Sequence, residues 1–361
     1  MTGLRLYTRA PLTPGWLART VLPACRALRE DHGAGVVHIR RGWLHGPHVD
    51  IVAQPGRGSE LPWRELASRL DAGPPGDRPM TEEEYLNRAR EFGRLENVAP
   101  PYLPMRDHGA LEFLSAEDEK GWPAPLNDLR ALALGRLNQP LLRTVEAFAA
   151  PPVDATLHVA EAFVALADAH HAGAAFGVFS LRSHAEAFLA WTAGGKDPRP
   201  AFDRRLEDDA PGLLPVVENA LAGRPDPRTA EWGRAFAYCT GLFDGAVARG
   251  DLTPAVVDGL GPGFDTDTMG PPGGRGAADH EPSAFHRAVD ASGVIADPPQ
   301  WFASYRLVVN LFYQQLPLLG LPPMHRYYFC HAIAELVDRV LGEPWSERLE
   351  RVASRDTKEA V

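Results

Sequence analysis

The stretch VVHIRRGWLHGPHVDIV, residues 36–52, places His38, Arg40, His48 and Asp50 at alternate positions of two short runs joined by a turn. Successive strand residues point to opposite faces, and residues on one face are neighbours across an antiparallel ladder. A hairpin here would gather those four side chains on one face and Val37, Ile39, Val49 and Ile51 on the other. An imidazole exchanges protons near neutral pH, a guanidinium is a fixed cation, and a carboxylate can orient either. The plain alternative is a solvent-facing sheet surface, which antiparallel hairpins commonly present.

A second stretch, WFASYRLVVNLFYQQLPLLGLPPMHRYYF, covers residues 301–329. On a helix, Phe302, Arg306, Val309, Tyr313 and Leu316 fall near one stripe. Ser304, Tyr305, Arg306 and Asn310 are hydrogen-bonding residues inside otherwise apolar chain. Buried polar groups need partners, so such a helix faces a cavity or a network, unless its long side chains snorkel to solvent. Other candidates carry less. His170 and His171 are adjacent at a helix end, where neighbouring side chains diverge, so they suit a solvated or capping pair better than a shared metal. The glycine clusters and the DTD triplet of residues 261–282 lie in loop-like sequence, without the strand–helix context of a phosphate cradle. The sequence has no GxSxG, HExxH or SxxK.

The elements that position these residues follow from pattern. Residues 4–9, LRLYTR, alternate as a strand. Thr13 and Pro14 open a helix with an apolar stripe of Leu17, Val21, Leu22, Ala24 and Leu28, ended at His32-Gly33. With the hairpin this makes a βαββ unit over residues 1–55, whose apolar face can pack on its own helix. Thr81 and Glu84 form a capping box for a helix over 81–96, and 97–115 reads as proline-rich irregular chain around a strand. From 126 onward the pattern is mainly helical, with helices expected at 153–171, 178–193, 212–222, 228–249, 299–318 and 323–342. The expected class is α+β, a small antiparallel sheet with a mainly helical remainder, in one domain over 1–361. Residues 261–282 are expected to form a loop or lid, and 352–361 a frayed tail.

Composition sets the limits. The 361 residues are 45% hydrophobic and 23% charged, enough for a substantial core. A net charge of −10 argues against a nucleic-acid binder. No run of 18 apolar residues suggests a membrane span, and the first residues lack an apolar signal core. Three scattered cysteines make no disulfide framework, which fits a reducing, cytoplasmic setting.

Together the two stretches resemble the lanthipeptide dehydratase elimination-domain family, also labelled the thiopeptide-type bacteriocin biosynthesis domain. The likeness rests on HIRRGWLHGPHVDIV, with its Ile-Arg pair and Gly-Pro-His turn. It rests also on RLVVNLFYQQLPLLGLPPMHR near the end, and on a weaker echo in PYLPMRDHGALEF, residues 101–113. Elimination enzymes of that family expel glutamate from a glutamyl ester, using arginines after the turn His and a His four residues before the late Asn. This sequence has Asp50 and Val52 at the arginine positions and Arg306 at the His position. Arginine stays protonated and cannot easily shuttle a proton.

Those departures fit one branch, the pyridine synthases of thiopeptide biosynthesis, which are stand-alone relatives of about this length. The resemblance then implies a formal aza-[4+2] cycloaddition between two dehydroalanines of an azole-bearing peptide. Loss of water and expulsion of the leader peptide follow, giving a pyridine and a macrocycle. No cofactor and no metal are implied. Tyr305 and Ser304 are the implied proton donors, Arg306 a fixed charge, and His38 or His48 a shuttle, with Asp50 orienting Arg40 or a histidine. His48, Asn310 and Tyr313 are the implied substrate contacts. The implied partners are the leader-bearing precursor peptide, which the βαββ unit could hold by strand addition or in a groove, and other enzymes of the pathway. Two readings stay open beside this one: a glutamyl-elimination subunit of a split dehydratase, and a non-catalytic scaffold for the precursor.

Overall fold

A computed structural model describes residues 2–57, 60–95, 98–115, 122–150, 153–192, 197–260, 281–293 and 299–351. The expected lid lies outside these residues except for Glu281 and Pro282, and the expected frayed tail lies wholly outside them.

The fold is α+β. Strand β1 (Thr2–Tyr7) is followed by α1 (Pro14–Thr20) and α2 (Leu22–Glu30), then β2 (Val36–Gly42) and β3 (His48–Gln54). The single helix expected after β1 is two, because Pro23 sits in the first turn of α2 and lacks the N–H that a continuous helix would use. Thr13 caps α1, its hydroxyl accepting from the Trp16 N–H at 3.2 Å. The expected βαββ unit gains a fourth strand, β4 (Leu111–Leu114), reached through α3 (Trp63–Arg69) and α4 (Glu82–Leu95). All four strands pair antiparallel in the order β2-β3-β1-β4. Leu4, Leu6, Val37, Ile39, Val49 and Ile51 share a core with Trp16, Leu17, Val21 and Leu28 of the two helices, as the alternation requires.

The remainder is helical: α5 (Leu126–Ala149), α6 (Ala155–Asp168), α7 (Ala174–Thr192), α8 (Arg199–Leu221), α9 (Pro227–Ala248), α10 (Pro254–Leu260), α11 (Ala284–Ser292), α12 (Gln300–Gln315) and α13 (Pro323–Leu341). Helix α13 packs on α7, α8 and α6, while α9 packs on α5, α6 and α12. Helix α8 begins at Arg199, well before the expected 212, and carries Pro211 and Pro215 inside it. Burial of Phe202, Leu206, Ala210, Leu213 and Val217 along one side holds it helical despite the lost backbone bonds. Helix α12 gives way at Leu316 to a 3-10 turn, Leu316–Leu319, with Pro317 in its first positions and Gly320 in the left-handed conformation.

Helix α5 joins the two regions. It covers the outer edge of β2, where Asn138 Oδ1 accepts from the Ile39 N–H at 2.8 Å. Asn138 Nδ2 in turn donates to Gln315 Oε1 at 2.8 Å, at the end of α12. Arg29 reaches the same strand edge and donates to the Val37 carbonyl at 2.9 Å. An edge strand with its backbone groups satisfied by side chains is closed to further pairing.

Candidate active site

The strand register lines up the polar face. Arg40 lies opposite Asp50, Asp50 opposite Arg5, and Arg5 opposite Glu112, so one row across all four strands alternates in charge. The adjoining row is Gly42, His48 and Tyr7. Opposite charges directly across strands attract, which favours this register over a slipped one.

Asp50 is the hub. Arg5 donates to it from Nε at 2.7 Å and from Nη2 at 3.0 Å, and Arg40 Nη2 donates at 3.1 Å. Asp50 itself is buried. Burial alone would raise its carboxyl, but the Arg5 hydrogen bonds and the surrounding positive charges outweigh that, and it sits below the usual carboxylate range. The fork of Arg5 on a carboxylate is the strong, directional form of such a pair.

His48 stands beside this pair, with Nε2 3.9 Å from Asp50 Oδ1. Its Nδ1 is 2.8 Å from the Gly46 carbonyl, and a carbonyl only accepts, so Nδ1 carries the proton. Burial, reinforced by the Arg5 charge and opposed by Asp50, brings the imidazole down to about 4. At neutral pH it is therefore uncharged, and Nε2 holds a lone pair with no hydrogen-bond partner among the described residues. Gly42 makes room for the ring, because a Cβ there would run into the imidazole. Tyr7 meets the ring edge-on at 5.1 Å between centroids. Its hydroxyl donates to Glu112 Oε2 at 2.9 Å, and Arg106 pairs with Glu112 Oε1 at 2.8 Å. Burial and the Glu112 bond both raise the Tyr7 phenol, keeping it protonated.

His38 shares the face and is wholly buried, and neither ring nitrogen has a partner among the described residues. Burial and the charges of Arg40, Arg130 and Arg29 hold it neutral. Both histidines are buried, but the charges acting on His38 are three arginines, which would oppose an imidazolium, whereas His48 has Asp50 beside it. The expectation of a plain wet sheet surface fails, since His38, His48 and Asp50 are all buried.

The structure does not join the polar residues of α12 to this network. Tyr305 is buried, and its hydroxyl faces the carbonyls of Leu166 at 3.3 Å and Gly177 at 3.2 Å. Gly177 is where α7 crosses α6 too closely to admit a Cβ beside the Ala167 carbonyl. Tyr305 thus ties together a tight helix corner. Ser304 is fully buried, with its hydroxyl unpartnered among the described residues. Tyr313 lies inside the bundle, its hydroxyl 3.2 Å from Cys330 Sγ and its ring under Arg326. Arg306 faces outward and pairs with Asp258 at 2.7 Å, and Asn310 is exposed. Of the solvated or capping pair expected at the helix end, His170 fits the second: its Nδ1 accepts from the Ala172 N–H at 3.1 Å, and its ring packs edge-on against Trp301 and Tyr305.

Four members of the network, Arg5, Tyr7, Glu112 and Arg106, were missed by sequence reasoning. Arg5 and Tyr7 had a signal, the alternation of LRLYTR, but which strand β1 would join was not written there. A separate cavity of about 300 Å³ lies between α6 and α9, lined by Asp168, Thr229 and Arg234 among others. Burial raises the Asp168 carboxyl there.

With the geometry in view, comparison with known proteins is informative at the level of fold. No family model and no curated protein sequence matches. Among solved structures, the pyridine synthase TbtD from thiomuracin biosynthesis aligns over 94% of this chain and 98% of its own, with a TM-score of 0.67 and 21% identity. This chain has the fold of a thiopeptide pyridine synthase. The structure of TsrL aligns over 97% of both chains, with a TM-score of 0.56 and 16% identity.

Proposed function

We propose that this chain is a thiopeptide pyridine synthase, joining two dehydroalanines of a leader-bearing, azole-containing peptide and releasing water and the leader. Whole-length likeness of fold to TbtD supports an enzyme of thiopeptide biosynthesis. The observation that favours cycloaddition over glutamate elimination is the state of Asp50. Arg5 and Arg40 are the guanidiniums of the polar face best placed to hold a substrate carboxylate, and Asp50 already pairs with both. A face whose guanidiniums are already engaged by its own carboxylate is poorly suited to a glutamyl group and compatible with an uncharged peptide backbone.

The chemistry asks for proton movement at an amide and for close alignment of two alkenes. One amide must lose its N–H proton and gain a proton on oxygen to become the azadiene. His48 is the group of choice, being neutral, locked in the Nδ1–H tautomer by Gly46 and carrying its lone pair on Nε2. Asp50 lies close enough to steady the imidazolium that forms on accepting the proton. Its proton passes to the amide oxygen, completing the iminol; after cycloaddition the neutral nitrogen takes one ring proton and delivers it to the departing oxygen as water, then takes a second ring proton and delivers it to the departing leader amide. Tyr7, held protonated, contributes a packed edge that fixes the ring.

The test is mass spectrometry of the purified chain with a leader-bearing peptide that contains azoles and two dehydroalanines. The expected product is a macrocycle with a free leader carboxamide and the loss of one water. His48→Gln should slow its formation by about a hundred-fold or more while near-ultraviolet circular dichroism stays unchanged. Glutamate release from a glutamylated peptide, with no macrocycle, would establish the elimination reading instead.

A further inference from the structure

Helices α6 and α9 pack against each other, and they meet in two ways. At one place Glu161 is buried, and Arg228 donates to it from Nε at 2.6 Å and from Nη2 at 2.7 Å. Further along both helices the side chains shrink to Ala165 on α6 and to Ala230 and Gly233 on α9, and the cavity of about 300 Å³ opens there. Asp168 stands on its α6 side and Arg234 on its α9 side, and neither has an ion-pair partner among the described residues. The same two helices therefore complete one ion pair and leave a second carboxylate and guanidinium open at the cavity.

Two positions lining this cavity break local rules. Gly233 is inside α9, where glycine weakens a helix relative to alanine. A Cβ there would meet nothing within 4 Å beyond its own turn of helix, so packing does not require the glycine. Thr229 is 3% exposed, yet its hydroxyl has no hydrogen-bond partner among the described residues. A buried hydroxyl without a partner costs stability, and valine would fill the same space without that cost. Departures of this kind concentrate where function overrides stability. Here one leaves room and the other leaves an unanswered polar group, and both line the same cavity.

The lining sets the ligand. An ionised carboxylate only accepts hydrogen bonds, a guanidinium only donates, and a hydroxyl does both. A carboxamide, with its N–H and its C=O, can answer all of them. A ligand of net charge would face a like charge at Asp168 or at Arg234, and an ion reaching the buried Thr229 would exchange its hydration for a single hydroxyl. The small residues Ala165, Ala230 and Gly233 let an extended main chain lie close to both helices. A volume of about 300 Å³ is at the small end of ligand pockets and suits a dipeptide-sized piece. We infer that the α6–α9 cavity binds a short uncharged peptide segment, with an amide N–H directed to Asp168, a carbonyl to Arg234, and the Thr229 hydroxyl answering the main chain at the floor. The inference does not rest on the chemistry assigned to His48, and the cavity can fill without turnover.

The probe is N-acetyl-alanyl-alaninamide, neutral and of dipeptide size, titrated against the full chain by saturation-transfer NMR. Saturation should pass from the wild type to the probe. Gly233→Leu, which fills the cavity, should abolish the signal, and Thr229→Val, which keeps the volume and removes the hydroxyl, should weaken binding by about ten-fold. Both variants should melt at or above the wild-type temperature, because each repairs a local fault. An analogue with an ester in place of the central amide lacks that N–H and should bind about ten-fold more weakly than the probe. No transfer from the wild type, an unchanged signal in Gly233→Leu, or equal affinity for amide and ester would overturn the inference. A lowered melting temperature in Thr229→Val would overturn it too, since the hydroxyl would then have a partner within the fold. Tighter binding of zwitterionic alanyl-alanine than of the capped probe would overturn the uncharged class. Turnover of the bis-dehydroalanine peptide is read separately. A chain that cyclises that peptide but ignores the probe loses this site and keeps its function. A chain that binds the probe and cyclises nothing keeps the site and loses the pyridine synthase reading.

Discussion

The polar face of the sheet and the two tyrosines of α12, Tyr305 and Tyr313, are both buried, and they differ in what satisfies them. On the sheet, side chains answer side chains: Arg5 and Arg40 hold Asp50, and Arg106 and Tyr7 hold Glu112. On α12, Tyr305 answers the backbone of two other helices, and Tyr313 lies against a thiol. A hydroxyl fixed on helix carbonyls is scaffold, because releasing it leaves buried acceptors unpaired. A set of mutually paired charges with one imidazole lone pair left over can meet a substrate without breaking any of its bonds. The sheet face is therefore the stronger candidate for chemistry, and α12 for architecture.

The largest effect should come from removing the hub. Asp50→Ala leaves two partly buried guanidiniums without their carboxylate, and breaking such a pair costs about 3–5 kcal/mol. Urea denaturation measures this directly. A loss below about 1 kcal/mol would mean that the pairs behave as surface ion pairs, and the contrast with α12 would collapse.

Much of this arrangement was legible in the sequence, and the limits are physical. Alternation put His38, Arg40, His48 and Asp50 on one face because the side-chain period of a strand is two residues. The capping box of Thr81 and Glu84 was readable because its parts lie three residues apart, and both of its bonds form at 3.1 Å. Arg5 and Glu112 were not readable as partners of this face. They are distant in sequence, and strand order is decided by which edges α5 and the other helices cover. Asn138 was missed for the same reason: a lone amide in a helical stretch gives no sign that it will close a strand edge and bridge to Gln315. The polar spacing of α12 pointed to a cavity or a network, but Arg306 pairs outward with Asp258, Asn310 is exposed and Ser304 has no partner among the described residues, and spacing alone does not separate a hydroxyl aimed at a substrate from one aimed at a carbonyl.

Acidification offers a second way to probe the sheet face. His48 holds its folded value at about 4, below the ordinary unfolded value of about 6.5. As pH falls through about 6.5 the unfolded chain takes up this proton and the native chain does not, so stability declines from there toward about pH 4. The contribution is about 1.4 kcal/mol per pH unit, or roughly 3 kcal/mol across the window. His48→Gln should remove about one proton from the slope measured by denaturation at successive pH values. Asp50 acts in a lower window: its depressed value stabilises the fold above the unfolded carboxylate range and is lost only below it. An unchanged slope in His48→Gln would mean that the imidazole titrates alike in the folded and unfolded chain, so that the sheet face would not be what holds it neutral.

The smallest effect bears on the other side of the comparison. Tyr305→Phe removes one hydroxyl and keeps the ring that packs against His170. The Gly177 carbonyl, inside α7, keeps its helical partner, but the Leu166 carbonyl, in the last turn of α6, loses this donor, so the expected loss is about 1–2 kcal/mol of stability. Burial raises the phenol far above neutral pH, and both of its contacts are to backbone, so the cyclisation rate measured well below the melting temperature should stay near wild type. A drop of about a hundred-fold in rate with stability preserved would reverse the assignment. It would require the α6–α7 corner to open during turnover and release the Tyr305 hydroxyl toward the peptide, which would make α12 part of the chemistry and leave the sheet face to hold the substrate.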